Sequence, residues 1–544
     1  MTDANVSLHL RRHAQNNPEK PALIAPTGEQ TGPWETITYG ELDAKVDAYA
    51  YGFAEEGIER ADRVLFLLKP GIEFYSVIFA LFRLGAIPVL LDPVMGIKPF
   101  LNCIEQIQPQ ALIAIPLAHV IRLVVRRPFQ TANIFITAGT RWFWGGSTLE
   151  QCLHHSDKPF TTEPFSAKDE AFIAFTSGST GPAKGVSYTN EMINTQVQLI
   201  GETYGLGPQS TAVECYAAFI LFDLMMGMTV VIPDVNLSKP AQAAPAKVID
   251  AINTHQADVA FGSPIIWTHL VQYAIEQQIE LPSLEQVLTG GAPIQAELHR
   301  QFQQVLSPGV NVFTPYGATE ALPIANIGTQ EILGETWAKT ASGAGTCVGT
   351  PFPGVDIRII GISDDPLPRW SEELRLPQGE IGEIVIDGLI ASPEYKDLPE
   401  ENDRAKIHES GRIMHRMGDL GYLDDAGRLW FCGRKTHRLQ TADGMIPAVP
   451  VEGIYNEHPS VSRTALVGVG DWGEQRPVLV VELHEGDSWT NQLQEELSRM
   501  TQDTRWQDVV SEFVVHPCLP TDTRHNSKII RDQLARWATR RLYS

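Results

Sequence analysis

Residues 175 to 186 read FTSGSTGPAKGV, which gathers Thr176, Ser177, Gly178, Ser179, Thr180 and Lys184 beside the apolar run AFIAF. Glycines let backbone N–H groups converge, hydroxyls donate further hydrogen bonds and an ammonium adds a point charge, so the stretch has the parts of a phosphate cradle. It is not the common nucleotide loop, because that loop needs Gly-Lys-Ser/Thr and here Ala183 precedes Lys184 while Gly185 follows it. Standing alone, the same composition also describes a surface loop.

Three further stretches carry chemistry. YGATE, residues 316 to 320, follows the strand-like VNVF and offers the Tyr316 ring for stacking on a purine, the Thr319 hydroxyl, and a Glu320 carboxylate able to hold magnesium. An ordinary strand-to-loop turn is the plain alternative. In HRMGDLGYLDDAGRLWFCGR, residues 415 to 434, Asp419 sits in an expected Gly-flanked turn and Arg434 ends a strand. A carboxylate accepts two hydrogen bonds from vicinal ribose hydroxyls, and a guanidinium reaches ribose or phosphate. Lys528 is expected at the start of a helix, KIIRDQLARWA, with Ile530, Leu534 and Trp537 on one apolar face. A solvated lysine is the alternative there.

Strand-like and helix-like segments alternate between about 60 and 330, as in DRVLFLL, IEFYSVIFALFRLG and IPVLLD. That alternation predicts stacked parallel α/β units, with loops bearing Gly, Ser, Thr or Pro at the strands' carboxyl ends, where such sheets bind ligands. From about 345 short runs with turns, GVDIRII, GEIGEIVIDG and GRLWFCGR, predict a β-rich subdomain. The chain is therefore expected to divide into residues 1–433, a large α/β domain with that β-rich subdomain, and residues 434–544, a small α+β domain.

The chain has 544 residues, enough for more than one core, with 42 Lys and Arg against 65 Asp and Glu and a net charge of −23. That excess disfavours nucleic acid and anionic membranes as partners. Six scattered cysteines without a C-x-x-C pair argue against zinc and a dense disulfide framework and point to a reducing cytoplasm. The opening MTDANVSLHLRRHAQNNPEK lacks the apolar core of a signal peptide. The most apolar stretch, Cys215 to Ile232, is interrupted by Asp223 and Gly227, which predicts a buried strand and helix rather than a membrane span.

In order along the chain, FTSGSTGPAKGV, LTGGAP, YGATE, GEIGEIVIDG, GDLGYLDDAGRLWFCGR and a terminal lysine-led helix resemble the ANL superfamily of adenylate-forming enzymes. That superfamily contains acyl-CoA synthetases, luciferases and peptide-synthetase adenylation domains. The likeness covers nearly the whole chain and implies an acetyl-CoA synthetase-like fold using ATP and Mg2+, in which residues 1–433 bind ATP and acyl substrate and residues 434–544 are a mobile lid carrying Lys528. It implies that Thr176, Ser177, Gly178, Ser179, Thr180 and Lys184 wrap the ATP phosphates and that Gly291 and Ala292 line the adenine. Tyr316 stacks on that base, with Gly317 and Thr319 beside it. Glu320 ligates magnesium, Asp419 binds the ribose and Arg434 the ribose or phosphate. Lys528 bridges substrate carboxylate and α-phosphate, so Lys528 and Glu320 are the expected catalytic residues.

Three positions depart from the superfamily pattern. The hinge reads GRKTHR, with Thr436 and His437 where a charged pair is usual; Phe219 is followed by Ile220 rather than histidine; and Ser527 replaces the glycine before Lys528. Gly444, the nearest candidate for the thiol-tunnel strand, is one position out of register. These features, with TPYGATEALP and GAGTCVGTP, resemble the branch of OleC-type olefin β-lactone synthetases. That resemblance implies activation of a long-chain β-hydroxy acid as its adenylate, then closure of a β-lactone by the substrate's own hydroxyl. Closure calls for a base, for which His437 and His525 are candidates and solvated loop histidines the alternative. A fatty acyl-CoA synthetase is the second expectation and a non-catalytic adenylate-binding scaffold the third. A thiolase-like or reductase pathway partner follows by analogy alone. Acyl length, stereochemistry and oligomeric state are not legible.

Overall fold

A computed structural model describes residues 3–27, 34–154, 156, 158–162, 164–176, 181–521 and 528–543. The expected α/β alternation forms two seven-stranded sheets. One runs in the order Asn311–Phe313, Gln286–Thr289, Val259–Gly262, Thr211–Glu214, Thr229–Val231, Pro21–Pro26 and Trp34–Thr38. The other is centred on Arg63–Leu67, flanked by Ala111–Ala114 and Ile87–Leu90, and ends in the antiparallel pair Glu170–Phe175 and Gly185–Thr189. Apart from the hairpin at one edge of each, both sheets are parallel. Their central strands are accordingly apolar runs buried on both faces, Ala111–Ala114 being buried throughout, while the edge strand Trp34–Thr38 is partly exposed.

The helix Ile72–Leu84 is buried along both flanks, every residue from Tyr75 to Leu84 being inaccessible. Apolar residues all round a helix are stable only where protein covers every side. Each such Val, Leu, Ile or Phe contributes about 1.5–3 kcal/mol on full burial. The helix stops at Gly85, whose φ of 83° is the left-handed conformation and whose N–H bonds to Leu81 O. A Cβ there would lie 2.4 Å from the Phe165 ring, so glycine is required twice over. Arg83, the one charge on this helix's buried surface toward its neighbour Tyr39–Glu55, is clamped by Asp43 at 2.5 Å and Asp47 at 2.8 Å.

From Tyr316 onward the chain forms an eight-stranded antiparallel sheet that includes Leu429–Arg434, Arg412–Leu423 and Gly382–Asp387. Beyond it, Val461–Val469, Arg476–Leu483 and Glu512–Val515 make a three-stranded sheet packed by the helices Ala448–Tyr455 and Arg531–Tyr543. No helix among the described residues is long and apolar enough to cross a membrane. The segment Cys215 to Ile232 is instead the helix Ala217–Met226 followed by the strand Thr229–Val231.

Two local expectations need correcting. Lys528 does not start a helix: that helix begins at Arg531, and Lys528 precedes it. Ile529 forms a bridge with Thr521 and Ile530 N bonds to Pro520 O at 2.8 Å, so these backbone groups are committed to extended pairing. Ile530 is consequently exposed, while Leu534 and Ala538 make the buried face. Asp419 lies not in a turn but within the strand Arg412–Leu423, opposite Arg434. The neighbouring glycines mark an irregularity in the ladder, with Gly418 at φ 65° and a register shift between Leu420 and Gly421.

Candidate active site

The carboxyl ends of the parallel strands, the antiparallel sheet and the segment around Lys528 enclose one cavity of about 2580 Å³. Its walls include Thr176, Lys184, Gly291, Ala292, Tyr316, Gly317, Thr319, Glu320, Asp419, Arg434 and Lys528. Every expected site residue that is described is thus on one cavity. Ser177, Gly178, Ser179 and Thr180, like His525, lie outside the described residues. The base of their loop is closed by reciprocal bonds, Thr176 N to Lys184 O and Lys184 N to Thr176 Oγ1, each 3.0 Å.

Against the antiparallel sheet, Tyr316 Oη donates to Asp419 Oδ2 at 2.5 Å and Arg434 Nη1 lies 2.9 Å from Asp419 Oδ1. Register across the ladder makes this possible, because Asp419 and Arg434 are directly paired strand residues. Burial pushes the Asp419 carboxyl up, while Arg434, Tyr316 and Lys528 oppose that shift. Burial and the adjacent Asp419 push the Tyr316 phenol well up, so it remains a donor. Lys528 therefore acts on Asp419 from the far side of the chain. Three residues on, Arg531 Nη2 bonds to Glu452 Oε2 at 2.9 Å.

Glu320 sits at the tip of the hairpin formed by Tyr316–Ala318 and Ala321–Asn326. Its Oε1 accepts a 2.7 Å bond from Tyr395 Oη, and its backbone oxygen accepts from Ser392 N at 2.8 Å. Tyr188 Oη holds Thr319 O at 2.6 Å. Lys184 Nζ lies 4.7 Å over the Tyr395 ring and pairs with Glu401 at 2.5 Å. Lys406, 2% exposed, approaches the same ring at 5.3 Å and donates to Ser392 O at 2.6 Å. Burial lowers its pKa from 10.5 to about 7.

Sequence reasoning missed Tyr395, Glu401 and Lys406. Tyr395 lies in a loop, Glu401 in the short helix Pro399–Ala405 and Lys406 at the start of the strand Lys406–Glu409, all outside the motifs, and only folding brings them beside Glu320 and Lys184. His437 does line the cavity, in the short turn Lys435–His437, and burial lowers its pKa to about 4. It is thus a neutral imidazole, and a weak base. The turn is fastened on both sides: Lys435 Nζ lies 3.1 Å from the buried Glu383 carboxylate, and Arg438 pairs with Asp364.

A mainly apolar wall of the same cavity is made by Phe219, Phe222, Ile193, Ile200 and Phe261, together with Glu214 and Asp223. Asp223 had a signal in the sequence, as the one charge in an apolar run. Glu214 ends a strand and had none.

The AMP-binding enzyme family matches residues 10–395. The chain is similar to the olefin β-lactone synthetase of Stenotrophomonas maltophilia, at 40% identity over 99% of this chain and 98% of that one. Its likeness to the olefin β-lactone synthetase of Xanthomonas campestris is 38%, over the same shares of the two chains. Among solved structures it superposes on O-succinylbenzoate coenzyme A synthetase of Bacillus subtilis, solved with ATP and magnesium. That match has a TM-score of 0.75 at 22% identity and covers 97% of this chain and 98% of that one. The order of the motifs, the two stacked parallel sheets and the full-length likeness agree, and the chain belongs to the AMP-binding family of adenylate-forming enzymes, in its olefin β-lactone synthetase branch.

Proposed function

We propose that the protein uses ATP to convert a long-chain β-hydroxy acid into its acyl adenylate, releasing pyrophosphate, and that the substrate's hydroxyl then displaces AMP to close a β-lactone. The full-length likeness to the two olefin β-lactone synthetases carries this reading. The cavity is consistent with it, since one side is rich in paired polar groups and the other is mainly apolar.

In this reading Tyr316 stacks on adenine between Gly317 and the Gly291–Ala292 backbone, and Asp419 holds the ribose hydroxyls, with Arg434 beside it. Thr176, Ser177, Gly178, Ser179, Thr180 and Lys184 enclose the phosphates. Lys528 lies between the acyl carboxylate and the α-phosphate, where a cation lets two anions approach. Mg2+ fits Glu320: the donor is a hard carboxylate oxygen oriented by Tyr395. Magnesium characteristically uses one or two carboxylates plus substrate phosphates and water. When bound it would neutralise phosphate charge. Residues 434–544 form the lid that brings Lys528 to residues 1–433.

Lactone closure needs no second substrate, because a hydroxyl held against the acyl carbon attacks intramolecularly and positioning supplies much of the rate. The new C–O bond forms as the bond from acyl carbon to AMP breaks, and the hydroxyl proton is lost. Purified protein given ATP, magnesium, CoA and a racemic long-chain β-hydroxy acid should yield β-lactone, AMP and pyrophosphate by mass spectrometry and NMR. An acyl-CoA thioester formed in its place would overturn the reading in favour of an acyl-CoA synthetase. Absence of acid-dependent ATP–pyrophosphate exchange would leave a binding scaffold.

A further inference from the structure

We infer that Glu214 and Asp223 form a polar subsite in the acyl side of the cavity that receives a hydroxyl group of the substrate and selects hydroxylated acids over plain fatty acids. This rests on the reading above for the kind of acid involved.

Both carboxyls line the cavity and are buried, Glu214 at 2% and Asp223 at 5% exposure. They come from different elements, the strand end Thr211–Glu214 and the helix Ala217–Met226, and share a hydrogen bond. Among the described residues no cation pairs with either, and no N–H or O–H reaches Glu214 Oε2 or Asp223 Oδ2. The nearby phenols are already committed: Tyr75 Oη donates to Ala217 O at 2.9 Å and Tyr39 Oη to Met228 O at 2.8 Å.

Apolar walls alone would hold an alkyl chain, and buried polar groups without partners are costly. Two acids there are explained by a ligand that brings its own polar group. Burial and mutual repulsion raise the Glu214 carboxyl well above its ordinary range, and burial raises Asp223. The pair therefore retains a proton, which the shared hydrogen bond holds between the two carboxyls, and its remaining oxygens are acceptors for the O–H of a neutral hydroxyl. A second anion would be repelled.

The location also fits. Glu214 is in register with Phe261, and Phe261 with Leu288, just before Thr289 and the Gly290–Ala292 turn. At about 4.8 Å per strand, Glu214 lies about 10 Å across the sheet from Leu288, at the same carboxyl end. A hydroxylated acyl chain entering beside that turn passes the pair. Glu214 and Asp223 are positioning residues in this proposal.

The test compares β-hydroxypalmitic acid with palmitic acid in acid-dependent ATP–pyrophosphate exchange, which reads the first half-reaction only. Wild type should favour the hydroxy acid in kcat/KM. Glu214→Gln and Asp223→Asn should each lower kcat/KM for the hydroxy acid by about tenfold or more and leave palmitate nearly unchanged. Asp223→Leu should remove the preference. No preference in wild type overturns the proposal, and that result needs no variant to fold. An equal fall for both acids in variants with wild-type thermal unfolding also overturns it, because that is the mark of a structural role. Product analysis of wild type is separate: if the preference collapses in the variants but wild type makes thioester, the subsite stands and the lactone reading falls.

Discussion

Asp419 and Glu214 are nearly equally buried, at 3% and 2% exposure, yet their surroundings differ. Asp419 has Arg434 at 2.9 Å, a Tyr316 donor at 2.5 Å and the influence of Lys528. Glu214 has only another acid. Burial raises both carboxyls, but around Asp419 a cation and a donor oppose the rise, while around Glu214 a second carboxyl adds to it. Around Asp419 the cations and the donor favour the charged, accepting form against burial, whereas around Glu214 burial and the neighbouring acid both favour keeping a proton. The first suits a polyhydroxyl, multiply charged nucleotide and the second a neutral polar group on an apolar chain.

Substitutions can break this division. The largest expected effect is at Lys528, which belongs to both halves: Lys528→Ala should lower the rate of pyrophosphate exchange by roughly 10²–10³-fold, the cost of removing one donor to a developing anion. ATP affinity, measured by calorimetry, should change much less. Next is Asp419→Asn, which should raise KM for ATP about tenfold while leaving KM for the acid nearly unchanged. A comparable rise in the acid's KM would show that the halves are not separable.

The smallest effect concerns stability. Lys406 has a pKa of about 7 when folded against 10.5 when unfolded. Between these values the unfolded chain binds more protons, so this lysine's contribution is fully present above about 10.5, is lost as pH falls toward 7 and is constant below. Lys406→Met should therefore flatten the dependence of unfolding free energy on pH across that window. Urea titrations at several pH values would measure it, and an unchanged slope would contradict a neutral Lys406 at alkaline pH.

Much of the polar half of the cavity was legible because its residues cluster in glycine-marked turns next to apolar strands, and such turns fall at strand ends. FTSGSTGPAKGV and YGATE are read this way. Tyr395 was not legible, since its role depends on a loop folding back onto Glu320. The wrong local readings share a cause. Around Asp419 the glycines serve a strand irregularity, not a turn, and around Lys528 a helical apolar pattern extends three residues beyond where Thr521 captures the backbone. Local pattern reports propensity, and tertiary pairing overrides it.

By itself the sequence determined the alternation of strands and helices and the superfamily, and it named residues that the fold places on one cavity, because periodicity and short motifs are local properties of the chain. Only the tertiary structure decided which acids have cations and which have none. That depends on strand register and on which distant elements meet at a sheet edge: Arg434 lies opposite Asp419 through one ladder, while Asp223 meets Glu214 by the packing of a helix on a strand end.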